Sequence, residues 1–100
     1  MSYRLNIRPA AEADVAEAAR WYDQRQQGLG DEFVGEVDQA IVRVLENPLA
    51  FRVIRRRHEV RCVLTHRFPY RIFFSRKGDT VVVHAVSHGH RHDRHWKDRL

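Results

Sequence analysis

"GLGDEFVGEVDQAIVRVLENP", Gly28–Pro48, carries the clearest periodicity in the chain. Phe33, Val37, Ala40, Ile41, Val44 and Leu45 recur at helical spacing and form one apolar stripe. Asp31 stands where a side-chain N-cap is expected. Asn47–Pro48 ends the helix, because the residue before a proline is pushed out of the helical region. Upstream, Ala11, Val15, Ala18, Ala19 and Tyr22 mark a second helix over about residues 10–27. Pro9 suits its first turn, and Glu12 and Asp14 lie near the positive end of its dipole. A joint as short as Gly28–Asp31 predicts an antiparallel helical hairpin.

On either side of this hairpin the period changes to two. "YRLNIR" sets Tyr3, Leu5 and Ile7 against Arg4, Asn6 and Arg8, the pattern of a half-buried strand. "VRCVLT" alternates Val60, Cys62 and Leu64 with Arg61, Val63 and Thr65. "FPYRIFFS" sets Phe68, Tyr70, Ile72 and Phe74 against Arg71 and Phe73. "RKGD", Arg76–Asp79, is a tight-turn signal with Gly78 free to take positive φ. "TVVVHAV" supplies the last strand. The expected fold is α+β with the order β-α-α-β-β-β, an antiparallel sheet with the N-terminal helical hairpin packed on one face. With no helix left for the other face, that face is expected to be open, with Arg61, Arg71 and His84 directed to it or to its rim.

One hundred residues and a 43% apolar fraction predict a single domain over residues 1–100 with one modest core. No stretch approaches the ~20 apolar residues of a membrane span, and the N-terminus lacks the apolar run of a secretory signal. The one cysteine, Cys62, allows no intramolecular disulfide and fits a reducing cytoplasm. On an alternating strand it reads as a small core residue. Charge is divided unevenly along the chain. Residues 1–50 hold 5 Arg and 9 Asp/Glu, net −4; residues 51–100 hold 13 Lys/Arg and 4 Asp/Glu, net +9; together these make the overall +5. The basic half predicts an anionic partner.

The sequence resembles the RelE/ParE superfamily of toxins from bacterial type II toxin–antitoxin modules. The resemblance rests on "YRLNIRP", the "GLGDEF" joint, the "NP" stop, "RFPYRIFF" and the ending "VVVHAVSHGHRHDRHW", with its H-x-x-R…W arrangement at His88, Arg91 and Trp96. It implies a cognate antitoxin that wraps and silences the toxin in a hetero-oligomer. It also implies one of two activities. RelE-like members cleave mRNA in the ribosomal A site, whereas ParE-like members poison DNA gyrase. The helical joint and long helices look more ParE-like, so the expected function is a ParE-like toxin of plasmid-stabilisation type. The alternatives are a RelE-like mRNA endonuclease and an inactive toxin-like protein that only binds antitoxin.

Metal-independent RNA cleavage needs a base for the 2′-hydroxyl, positive charge for the phosphorane and an acid for the leaving oxygen, all at one phosphate. By resemblance, Arg71 matches the phosphate-binding arginine of RelE-like nucleases and Arg91 their second arginine. His88 or His90 occupies the place of a proton-transferring histidine. RelE proper carries lysines where Cys62 and Leu64 stand, and neither of these moves protons, which favours a binding toxin. Arg55, Arg56, Arg57 and Arg61, with Arg71 and Arg91, are the candidate residues for binding antitoxin or target. His88, His90 and His92 alternate, but the donor set is thin and the family is metal-free, so neither a metal nor another cofactor is expected. Trp21 and Tyr22 read as helix packing, and Trp96 as a core residue closing against the first strand or a helix.

Overall fold

The computed structural model describes residues 2–89 and 94–100. Strands β1 (Arg4–Ile7), β2 (Val53–Arg55), β3 (Val60–Leu64), β4 (Tyr70–Lys77) and β5 (Thr80–His88) accompany helices α1 (Pro9–Arg25), α2 (Leu29–Glu46) and α3 (Arg94–Lys97). The sheet order is β1-β5-β4-β3-β2.

The helical hairpin forms as the periodicity predicts. Phe33, Val37, Ala40, Ile41 and Val44 of α2 and Ala11 and Ala18 of α1 are buried against Val63, Ile72, Phe74, Val81, Val83 and Val86 of the sheet. Each large aliphatic or aromatic side chain so buried contributes about 1.5–3 kcal/mol. Tyr22 joins this core through ring contacts with Phe33 at 5.4 Å and Phe68 at 4.8 Å.

The joint between the helices is built differently from the expected Asp31 cap. Helix α2 begins three residues earlier, at Leu29, after Gly28 in the left-handed region (φ 88°). Asp31 falls within its first turn, and the cap comes from the other helix. Asp23 Oδ1 accepts the Gly30 N–H at 2.8 Å. A Cβ at position 30 would lie 2.4 Å from the Ala19 carbonyl oxygen, so only glycine permits this close approach of α2 to α1.

Three features depart from the expected sheet. First, it is mixed: β1 runs parallel to β5, with Arg4 opposite Thr80 and Ile7 opposite Val83. The remaining pairs are antiparallel. The chain returns through the hairpin to the far edge at β2, leaving the free edge of β5 for its first strand. Leu5 stays largely exposed, while Tyr3 and Ile7 pack on the core. Second, Val53–Arg55, read only as part of an arginine cluster, forms a short edge strand. Third, the second face is not open throughout. Trp96 of α3, 2% exposed, stacks on Phe73 at 5.0 Å and 19° and completes a small second core with Val60 and Ala85. Trp96 therefore closes the core as expected, but against the middle of the sheet instead of β1 or the hairpin.

Side chains replace a strand where β1 ends. Beyond Val83, Asp14 Oδ2 of α1 accepts the Val86 N–H at 3.0 Å, and Arg99 Nη1 donates to the His84 carbonyl at 3.1 Å. Asp14 and Arg99 also grip each other in a two-pronged pair at 2.6 and 2.9 Å, and His95 Nε2 lies 3.3 Å from Asp14. The C-terminal segment is thereby fastened across β5 to α1.

Candidate functional site

The candidate residues separate into groups once the strands are paired. Arg71 lies on β4 opposite Ser87, on the face that carries Phe73; its guanidinium is 5.0 Å from the Phe73 ring. His88 lies opposite Tyr70, and the two rings meet edge to face at 5.4 Å. Tyr70 in turn touches Phe33 of α2. Directly opposed residues in an antiparallel pair share a face, so Arg71 and His88 project from opposite sides of the sheet. They share one end of the molecule, but the structure does not bring them to one site. His90 and Arg91, which follow His88, lie outside the described residues.

Arg55, Arg56 and Arg57 sit at the other end of β3. Arg55 is opposite Val60, whereas Arg71 is opposite Leu64, four residues along β3, a separation of about 13 Å. Arg56 and Arg57 are exposed and Arg55 is half-buried. They lead into a turn in which His58 (φ 64°) and Glu59 (φ 46°) both adopt left-handed conformations, uncommon for residues with side chains.

Arg61 departs from expectation. It lies opposite Phe74, on the hairpin side of the sheet, not on the other face. Its guanidinium donates to the carbonyls of Leu49 (3.2 Å) and Phe51 (2.6 Å), and its side chain is only 12% exposed. Placed so, Arg61 ties down the connection after α2 and is poorly available to a phosphate or to an acidic partner.

His84 is buried instead of lining a rim. The Ser75 hydroxyl donates to the His58 carbonyl at 3.0 Å, so His84 Nε2, 2.9 Å from Ser75 Oγ, must carry the hydrogen of that contact. Burial, reinforced by the charges of Arg8, Lys77 and His58, pushes the imidazole down to about 4. Above pH 6.5 the side chain is neutral in both folded and unfolded chains. As pH falls from 6.5 towards 4 only the unfolded chain takes up the proton, so folding loses about 3 kcal/mol across that window. Urea unfolding at pH 7 and pH 4.5 should show this loss, and His84→Gln should flatten it; an unchanged pH dependence in the variant would refute the assignment.

Among the described residues there is no group of three or more His, Cys, Asp or Glu arranged to hold a metal ion. His90, His92 and Asp93 lie outside those residues. Cys62 is half-buried beside the Phe73–Trp96 cluster, and Leu64 is 62% exposed at the end of β3.

A groove that the sequence reading did not single out lies on the hairpin side of the same sheet end. Asp14, Glu17, Trp21 and Tyr22 of α1 form one wall, and Tyr70 and His88 stand opposite, around a volume of about 270 Å³. Its signal was present in the helical spacing of Asp14, Glu17 and Trp21, outside the apolar stripe.

Residues 5–93 match the family described as "ParE toxin of type II toxin-antitoxin system, parDE". The chain belongs to the ParE toxin family. The fold agrees with this assignment. A solved structure described as "Chromosomal ParDE TA system from P. aeruginosa" superposes with a TM-score of 0.77 at 16% identity, covering 87% of this chain and 96% of that one. No curated protein matches the sequence. In this ParE-family toxin no helix of the described residues is long and apolar enough to cross a membrane.

Proposed function

We propose that this ParE-family chain arrests growth by binding DNA gyrase in the cytoplasm and is silenced by a cognate antitoxin in a hetero-oligomeric complex. The observation that carries the binding reading is the division of Arg71 from His88 by the sheet. Phosphodiester cleavage requires proton transfer and charge stabilisation within hydrogen-bond reach of one phosphate, and this pair cannot converge on one. Cys62 and Leu64, on the strand beside Arg71, add no group that transfers protons at neutral pH to a phosphate held by Arg71. The exposed Arg56 and Arg57, with Arg55, offer an acidic amphipathic segment of an antitoxin a cationic rim.

Purified toxin is expected to inhibit gyrase supercoiling and to trap cleaved DNA complexes. Induced cells should show DNA-damage signalling before translation falls, and co-expression of the neighbouring antitoxin should relieve the arrest. If gyrase is untouched at large molar excess while mRNA is cut in translation extracts, the endonuclease reading replaces this one.

A further inference from the structure

We propose that the groove between α1 and the end of β5 is a receptor for a single cationic side chain, arginine or lysine, of a partner protein. This inference is independent of the gyrase reading, and the groove is opposite in sign to the basic surface used there.

Three observations converge on a cation. The walls are aromatic: Trp21, Tyr22 and Tyr70 line the groove with His88. Indole and phenol faces carry negative potential and attract guanidinium and ammonium groups. Carboxylates stand along the same helix edge, Asp14 at the inner end and Glu17 one turn further on. Glu17 is exposed, and no ion pair is seen for it among the described residues. Two of the lining residues also bind guanidinium groups from the same chain that lie outside the groove lining. The Arg25 guanidinium lies 3.3 Å from the Trp21 ring centroid, and its Nη1 donates to the Trp21 carbonyl at 3.2 Å. At the inner end Asp14 holds Arg99.

Size and charge narrow the occupant. About 270 Å³ lies below the roughly 300–1,000 Å³ typical of sites that enclose a drug-sized molecule, so the groove suits one side chain better than a nucleotide or cofactor. Phosphate is disfavoured by the exposed Glu17 carboxylate, while the charge of Asp14 is already matched by Arg99. Trp21 is 47% exposed, and tryptophan is the kind of residue that dominates protein interfaces. The α1 wall contributes the exposed Glu17 carboxylate, which favours a basic group at the groove mouth.

The test titrates the ¹⁵N-labelled full chain with acetyl-Gly-Arg-Gly-amide and with the same peptide carrying citrulline, which keeps the shape and removes the charge. The arginine peptide should shift the Trp21 indole N–H saturably, with a Kd on the order of 1 mM, while the buried Trp96 indole stays in place. Citrulline should bind about tenfold more weakly or not at all. Trp21→Ala, followed by the backbone amides of Glu17 and Tyr22, should abolish saturable binding, and Glu17→Gln should weaken it about threefold. Both positions are exposed, so an unchanged spectrum of the core will report an intact fold. Equal binding of the citrulline peptide, wild-type affinity in Trp21→Ala, or no saturable shift at Trp21 would each overturn the proposal.

Discussion

Asp14→Ala should cost about 3 kcal/mol of folding free energy, which for a domain of this size lowers Tm by roughly 12–24 °C. The Asp14 side chain is 8% exposed and holds Arg99 by two contacts, the Val86 N–H and His95. Truncation leaves the Arg99 charge without its partner and the Val86 N–H without its acceptor at the point where β1 no longer covers β5. Arg99 is 22% exposed and can turn to water, which places the loss at the lower end of the range for buried pairs. Arg4, by contrast, is 82% exposed in its 3.8 Å pair with Asp79, and Arg4→Ala should stay within about 0.5 kcal/mol. Acid titration gives a second readout. Burial alone would raise the Asp14 carboxyl, but the Arg99 hydrogen bond, the Val86 N–H and the charges of Arg99 and His95 outweigh it and leave it below 3.8. A depressed carboxylate stabilises the fold above its unfolded value, and that contribution is lost as pH falls through the folded value. Arg99→Met should therefore move the acid-unfolding midpoint upward. Equal chemical stability of Asp14→Ala and the parent would show that the C-terminal segment is held by something else.

Trp96→Ala is expected to cost about 3–5 kcal/mol, measured as a lower urea midpoint with an unchanged m-value. Trp96 is the largest side chain of the second core, and its stacked contact with Phe73 covers the middle of β4. The remaining members, Val60 and Ala85, are too small to fill the volume left behind. Trp96→Phe should restore more than half of the loss, because it keeps most of the apolar contact and removes an indole N–H that has no hydrogen-bond partner among the described residues. A loss below about 1 kcal/mol for alanine would mean that this face contributes little to the fold.

These two residues show where sequence reading reaches its limit. The stripe Phe33–Val37–Ala40–Ile41–Val44–Leu45 was legible because every member is set by local helical spacing, and the structure buries all of them but Leu45, which is half-buried. The strand alternation around Ile72 and Phe73 was legible for the same reason, and so was the turn at Gly78, where φ is 60°. Asp14 read only as an acid near the positive end of the helix dipole, since its partners Val86 and Arg99 stand 72 and 85 positions away. Arg61 was assigned to the wrong face because alternation shows which residues share a side without saying which side meets the helices.

The candidate site was legible as a list of residue types and not as a geometry. Arg71 and His88 sit near each other in any linear account of the strands, yet pairing Arg71 with Ser87 and Tyr70 with His88 puts them on opposite faces. A one-residue change of register reverses that outcome, and register is chosen by the whole sheet, including the irregularity between Phe73 and Phe74. The amino-acid sequence by itself determined the helical hairpin, the strand periods, the separation of acidic and basic halves and the family resemblance, all properties of neighbouring residues or of their order. Only the tertiary structure decided the parallel insertion of β1, the closure of the second face by Trp96, the Asp14–Arg99 fastening and the cation-sized groove. Each of these depends on which distant segments satisfy the edges and faces left over after local structure has formed.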